Sequence, residues 1–173
     1  SKSVKLGNSS TPFAGHKTLR QLTISQFTCE LRRFSDTVAA LCPLLPALEA
    51  LHLHSSFEPM SNERLVVLSQ VPKLTTLSIK CFCGVSDLLG LRSLGGLKVL
   101  FLGSLAKKDY GRGLAHFENI DSALPRLEWL QFCLQDCSVQ ELVVFLRPLH
   151  KLSALKHIST IVETAMSALF RAL

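Results

Sequence analysis

The chain has 173 residues, 47% of them apolar, with 34 leucines against one Trp and one Tyr. That suits one folded domain whose core is built largely from a single aliphatic side chain, and no run reaches the ~18 consecutive apolar residues of a membrane helix. The formal charge is +6, but Lys and Arg are scattered (Lys2, Lys5, Lys17, Arg20, Arg32, Arg33, Lys107, Lys108, Arg112) with no basic run of five and no interleaved aromatics, which argues against a nucleic-acid stripe.

Residues 1–15 read as a lead-in; residues 1–8 lack the apolar core of a signal peptide, and with Ser1 in first place the chain is expected to be a piece of a longer one. A pattern then begins loosely as His16-Lys-Thr-Leu19-Arg-Gln-Leu22-Thr-Ile24. Ser35 and Asp36 open a short helix over 37–41, curtailed by Pro43 and Pro46. The first clean copy is Leu45-Pro-Ala-Leu48-Glu-Ala-Leu51-His-Leu53. Ser61-Asn-Glu-Arg precedes a helix over 65–68 that Pro72 closes, and Val71-Pro-Lys-Leu74-Thr-Thr-Leu77-Ser-Ile79 repeats the pattern. Ser86 and Asp87 open a helix over 88–91, with Leu94 a turn later, before Leu94-Gly-Gly-Leu97-Lys-Val-Leu100-Phe-Leu102. Residues 103–114, with three glycines, a charged cluster and Tyr110, read as a projecting surface loop. Leu124-Pro-Arg-Leu127-Glu-Trp-Leu130-Gln-Phe132 is the fourth clean copy. Ser138-Val-Gln-Glu141 is a capping box ahead of a helix over 142–146. A last loose copy runs Leu152-Ser-Ala-Leu155-Lys-His-Ile158-Ser-Thr160, and apolar residues at 161, 165, 169 and 172 predict a terminal helix over 161–173.

The copies start at 16, 45, 71, 94, 124 and 152, at intervals of 29, 26, 23, 30 and 28 residues. Their Leu-x-Leu ends predict strands that point leucines one way and the intervening residues the other. One such unit cannot bury its own apolar face, so the units must stack. Recurrence of L-x-x-L-x-L at this period resembles the leucine-rich repeat. The resemblance implies an α/β solenoid, a horseshoe with a parallel sheet on the concave side and helices on the convex side, made of about six irregular repeats over 16–173. The Asn that often comes after the motif is absent; those places hold Phe27, Ser56, Phe82, Leu105, Gln135 and Glu163. Irregular repeats without that Asn are most similar to the repeat halves of F-box proteins. Such a half would be the substrate-binding part of a ubiquitin-ligase adaptor, reaching Skp1 only through an F-box that these residues do not contain. The alternatives are a general leucine-rich-repeat scaffold, an immune-sensor module without a ubiquitin role, or a repeat domain joined to an enzyme half outside this chain.

On the outward side of the strands the alternation places Gln21, Thr23 and Ser25; Ala50, His52 and His54; Thr76, Ser78 and Lys80; Val99, Phe101 and Gly103; Trp129, Gln131 and Cys133; and His157, Ser159 and Ile161. The expected partner contacts are His52, His54, Ser78, Lys80, Phe101, Trp129, Gln131 and His157, with Phe101 and Trp129 as aromatic anchors of a protein partner. His52 and His54 lack a third metal ligand nearby, so neither a metal nor another cofactor is expected. No G-x-S-x-G, Walker A, G-x-G-x-x-G or H-E-x-x-H motif occurs, and the chain is not expected to be an enzyme. Cys81-x-Cys83 and Cys133-x-x-x-Cys137 do not have zinc half-site spacing, and Cys29 and Cys42 stand alone. Thiols packed as small hydrophobes imply a reducing, intracellular site, cytoplasmic or nuclear.

Overall fold

The computed structural model describes residues 18–25, 45–54, 62–79, 90–105, 120–135 and 137–163. Six strands lie in one sheet: β1 (Gln21–Ser25), β2 (Ala50–His54), β3 (Thr76–Ile79), β4 (Val99–Leu105), β5 (Trp129–Gln135) and β6 (His157–Glu163). They are ordered β1 to β6 as in the chain, and every neighbouring pair is parallel. Parallel neighbours require a crossover each. The described crossovers hold three short helices, α1 (Asn62–Val67), α2 (Ile120–Ala123) and α3 (Val139–Leu146), so the class is α/β. A 3-10 turn over Leu68–Gln70 continues α1, and another over Arg147–Lys151 continues α3.

The repeated spacing has a local cause. In each clean copy the second leucine of the motif donates its N–H to the carbonyl of the first motif residue three positions back: Leu48 to Leu45 (3.0 Å), Leu74 to Val71 (3.2 Å), Leu97 to Leu94 (2.9 Å) and Leu127 to Leu124 (3.1 Å). Leu155 repeats the bond to Leu152 at 3.1 Å in the last, loose copy. This turn delivers the chain into its strand. The next residue then stitches one unit to its neighbour, because its carbonyl accepts two N–H groups from that neighbour. Arg20 accepts from Glu49 and Ala50, Glu49 from Thr75 and Thr76, Thr75 from Lys98 and Val99, Lys98 from Glu128 and Trp129, and Glu128 from Lys156 and His157. Backbone groups at the start of the strands do this joining, away from the places where the Asn would stand.

One face of the sheet is the core. Leu22, Leu51, Leu77, Leu100 and Leu130 stand in register on it and are buried, as are Ile24, Leu53, Ile79, Leu102 and Phe132. The motif leucines Leu48, Leu74, Leu97 and Leu127 are buried with them. Phe132 meets Phe145 of α3 with ring centroids 4.9 Å apart, which ties the helix to the sheet. Burying each such side chain contributes roughly 1.5–3 kcal/mol.

Helix α3 starts at Val139, directly after the Ser138 cap and three residues before the 142 read for it. Ser138 Oγ accepts from the Glu141 N–H at 3.2 Å, and Glu141 Oε2 accepts from the Ser138 N–H at 2.8 Å. Other expectations change. The terminal helix does not begin at Ile161: β6 runs to Glu163, because the run Ile158-Ser-Thr-Ile161-Val162 is dominated by β-branched residues and finds seven paired residues on β5. The loop does not begin at Gly103 either, since β4 continues to Leu105. Its register slips by one between Phe101, opposite Gln131, and Ser104, opposite Cys133. Gly103 sits in that bulge, where a residue without a side chain is commonly found. The helix read over 88–91 is a 3-10 turn at 90–93 in its described part; it begins at Gly90 and is followed by Gly95 and Gly96, residues that disfavour α-helix. Ile158, read as inward and buried, is 47% exposed, on a strand that pairs only with β5 among the described residues. The helix over 37–41, the rest of the loop and residues 164–173 lie outside the described residues.

Candidate partner-binding face

The residues between the leucines form two straight rows across the opposite face. The first holds Gln21, Ala50, Thr76, Val99, Trp129 and His157; the second holds Thr23, His52, Ser78, Phe101, Gln131 and Ser159. The parallel register makes each a line of immediate neighbours about 4.8 Å apart.

Three rings gather at the β4–β6 end. Phe101 and Trp129 have centroids 6.4 Å apart at 58°, and Trp129 and His157 have centroids 4.6 Å apart at 34°. Trp129 bridges the other two and remains 40% exposed. Tilted ring pairs at these distances are attractive beyond their area burial, so the rings hold one another in place while leaving indole surface open to water. Gln131 and Ser159 stand beside them in the second row.

The β1–β3 end is polar. Gln21 Nε2 donates to His52 Nε2 at 3.1 Å across the β1–β2 pair. His54 lies opposite Ser25 at the end of β2. Ser78 requires a correction: it occupies the row as expected but is only 5% exposed, so it is not an open contact. It lies between His52 and Phe101 in register, and its hydroxymethyl group is shorter than the rings on either side. Lys80 lies outside the described residues. The seven described of the eight expected contacts therefore divide: Phe101, Trp129, Gln131 and His157 come together, His52 and His54 form a second group, and Ser78 is covered.

A feature that sequence reasoning missed borders this face. The stitching residues Arg20, Glu49, Thr75, Lys98, Glu128 and Lys156 stack into a column at the start of the strands. Arg20 pairs with Glu49 at 3.7 Å. Glu128 takes both Lys156 at 2.7 Å and Lys98 at 3.9 Å. The hydrogen bond from Lys156 and its charge hold the Glu128 carboxyl below its ordinary range against an opposing desolvation, with a lesser contribution from the charge of Lys98. The signal was available: the residue after the second motif leucine reads Arg, Glu, Thr, Lys, Glu, Lys down the copies. The ring stack of Trp129 with His157 was missed for a similar reason, since it appears only once the two strands are placed side by side.

Cys133 and Cys137 form no disulfide. Among the described residues no group of three or more His, Cys, Asp or Glu side chains converges to hold a metal ion, and no helix is long and apolar enough to cross a membrane. Chemically, the face offers stacking surface, amide and hydroxyl hydrogen bonds, and imidazole rings. No protein-family model, curated protein or solved structure matches the chain.

Proposed function

We propose that this chain is a protein-recognition module, a horseshoe of about six leucine-rich repeats that binds its partner through the face bearing Phe101, Trp129 and His157. The observation that carries the reading is Trp129, exposed between two rings on a sheet whose other face is packed leucine. Partly exposed aromatics held in place by neighbours are the usual energetic centres of protein interfaces. The sequential, all-parallel sheet and the recurring turn support the repeat reading.

The finer reading is the substrate-binding half of an F-box ubiquitin-ligase adaptor, non-catalytic and intracellular. Its support is the irregular 23–30-residue spacing without Asn and the unbridged Cys133 and Cys137. The test is co-purification of the full-length protein from cells of its source, wild type beside Phe101→Ser/Trp129→Ser. Skp1 and a cullin retained in both samples, with other partners lost from the variant, is the expected result. Absence of Skp1 and cullin with partners still lost from the variant leaves a plain repeat scaffold. Partners unaffected by the double substitution contradict recognition through this face.

A further inference from the structure

The class of partner can be narrowed from charge. Glu128 is shared by Lys98 and Lys156, so the column beside the aromatic end carries two cations to one anion. At the other end Arg20 and Glu49 are matched one to one. The two residue rows of the face contain no carboxylate, and the chain as a whole carries +6. Both lysines are largely exposed, at 66% for Lys156 and 53% for Lys98, but Lys156 makes the short contact with Glu128 at 2.7 Å whereas Lys98 reaches it only at 3.9 Å. Lys98 is therefore the cation with capacity for another carboxylate. It immediately precedes Val99, which neighbours Trp129 in the first row.

Resting on the recognition role proposed for this face, we propose that the aromatic end binds an acidic peptide segment of a partner protein, its apolar side chain packed on Phe101 and Trp129 and a neighbouring carboxylate paired with Lys98. A cationic segment would meet excess positive charge and no carboxylate in either row. A nucleic acid would also offer anions and stacking bases, but it presents a phosphate at every nucleotide and needs several cations along its track. Here Arg20 and Lys156 are engaged by Glu49 and Glu128, which leaves Lys98 as the one column cation with capacity to spare, so a segment with one or two carboxylates fits better.

The experiment is selection of a random 12-residue phage-displayed peptide library on the intact chain, then fluorescence titration of synthetic peptides. Trp129 is the single Trp, so its emission reports directly on the site. Labelled peptide and polarisation are used for the variants. Expected are peptides joining Leu, Ile or Phe to Asp or Glu, with affinity falling roughly tenfold or more in Trp129→Ser and about threefold or more in Lys98→Glu, less at high salt. Lys98→Arg retains binding. Circular dichroism melts confirm that each variant is folded, and the exposed Lys98 site keeps the test decisive if Trp129→Ser unfolds. Basic or uncharged peptides that still depend on Trp129 overturn the acidic class while leaving the recognition face. Absence of enrichment, or peptides indifferent to Trp129, overturns both. An oligouridine that quenches Trp129 more tightly than the selected peptides overturns the peptide assignment in favour of single-stranded nucleic acid.

Discussion

At the scale of single residues, two large side chains on one strand have opposite roles. Trp129 and Leu130 are adjacent, yet one is 40% exposed and the other is buried. Leu130→Ala removes core volume that the surroundings can refill only in part, and should cost about 2–5 kcal/mol in urea unfolding. Trp129→Ser loses ring contacts on an open face and should cost about 1 kcal/mol or less. Glu128 gives a pH-dependent expectation. Because its folded-state carboxyl is held below the ordinary range by Lys156 and then Lys98, its contribution is present above the unfolded carboxylate value and is lost as pH falls through the lower folded one. Wild type should therefore exceed Glu128→Gln in urea midpoint at pH 7. The gap should close as pH falls below the ordinary Glu value of about 4.3, and 1 M salt should narrow it at pH 7. The position of these residues in the unit was readable from the chain. Which carboxylate served which lysine was not, because that requires three strands in register.

At the scale of elements, capping chemistry was the most directly legible feature. Ser138 and Glu141 satisfy each other's backbone N–H groups three residues apart, an arrangement needing nothing from the rest of the fold. Ser138→Ala should lower stability by about 1 kcal/mol, read as a shift in urea midpoint, with Ser138→Asp recovering most of it. The turn into each strand was equally legible, since its hydrogen bond spans three residues. Strand ends were not. β4, β5 and β6 extend to seven residues by pairing with one another, so the length of each depends on its neighbour. The helical period beginning at Ile161 lost its first three residues to that pairing. The covering of Ser78 had the same origin, as it depends on the heights of His52 and Phe101 one strand away on each side.

At the scale of the whole molecule, one apolar layer, largely leucine, runs without a break from β1 to β5. Each strand draws burial from the units beside it, so no single unit is expected to persist alone. Unfolding should be one transition: Trp129 emission, near one end of the sheet, and far-ultraviolet circular dichroism, which averages over it, should give coincident urea curves. Leu77→Ala, in the third strand, should move both curves together. Separate midpoints would show that the sheet breaks into independent halves.

Both the core and the proposed binding face depend on which way the alternate residues point, since a slip of one would exchange the leucine face for the aromatic one. Acrylamide quenching of the single Trp tests this most directly. Trp129 on the open face should emit at the long-wavelength side and be quenched readily in the native protein, with a modest further rise on unfolding in urea. A blue-shifted emission that acrylamide barely quenches until the chain unfolds would place Trp129 in the core and contradict both the face and the partner assigned to it.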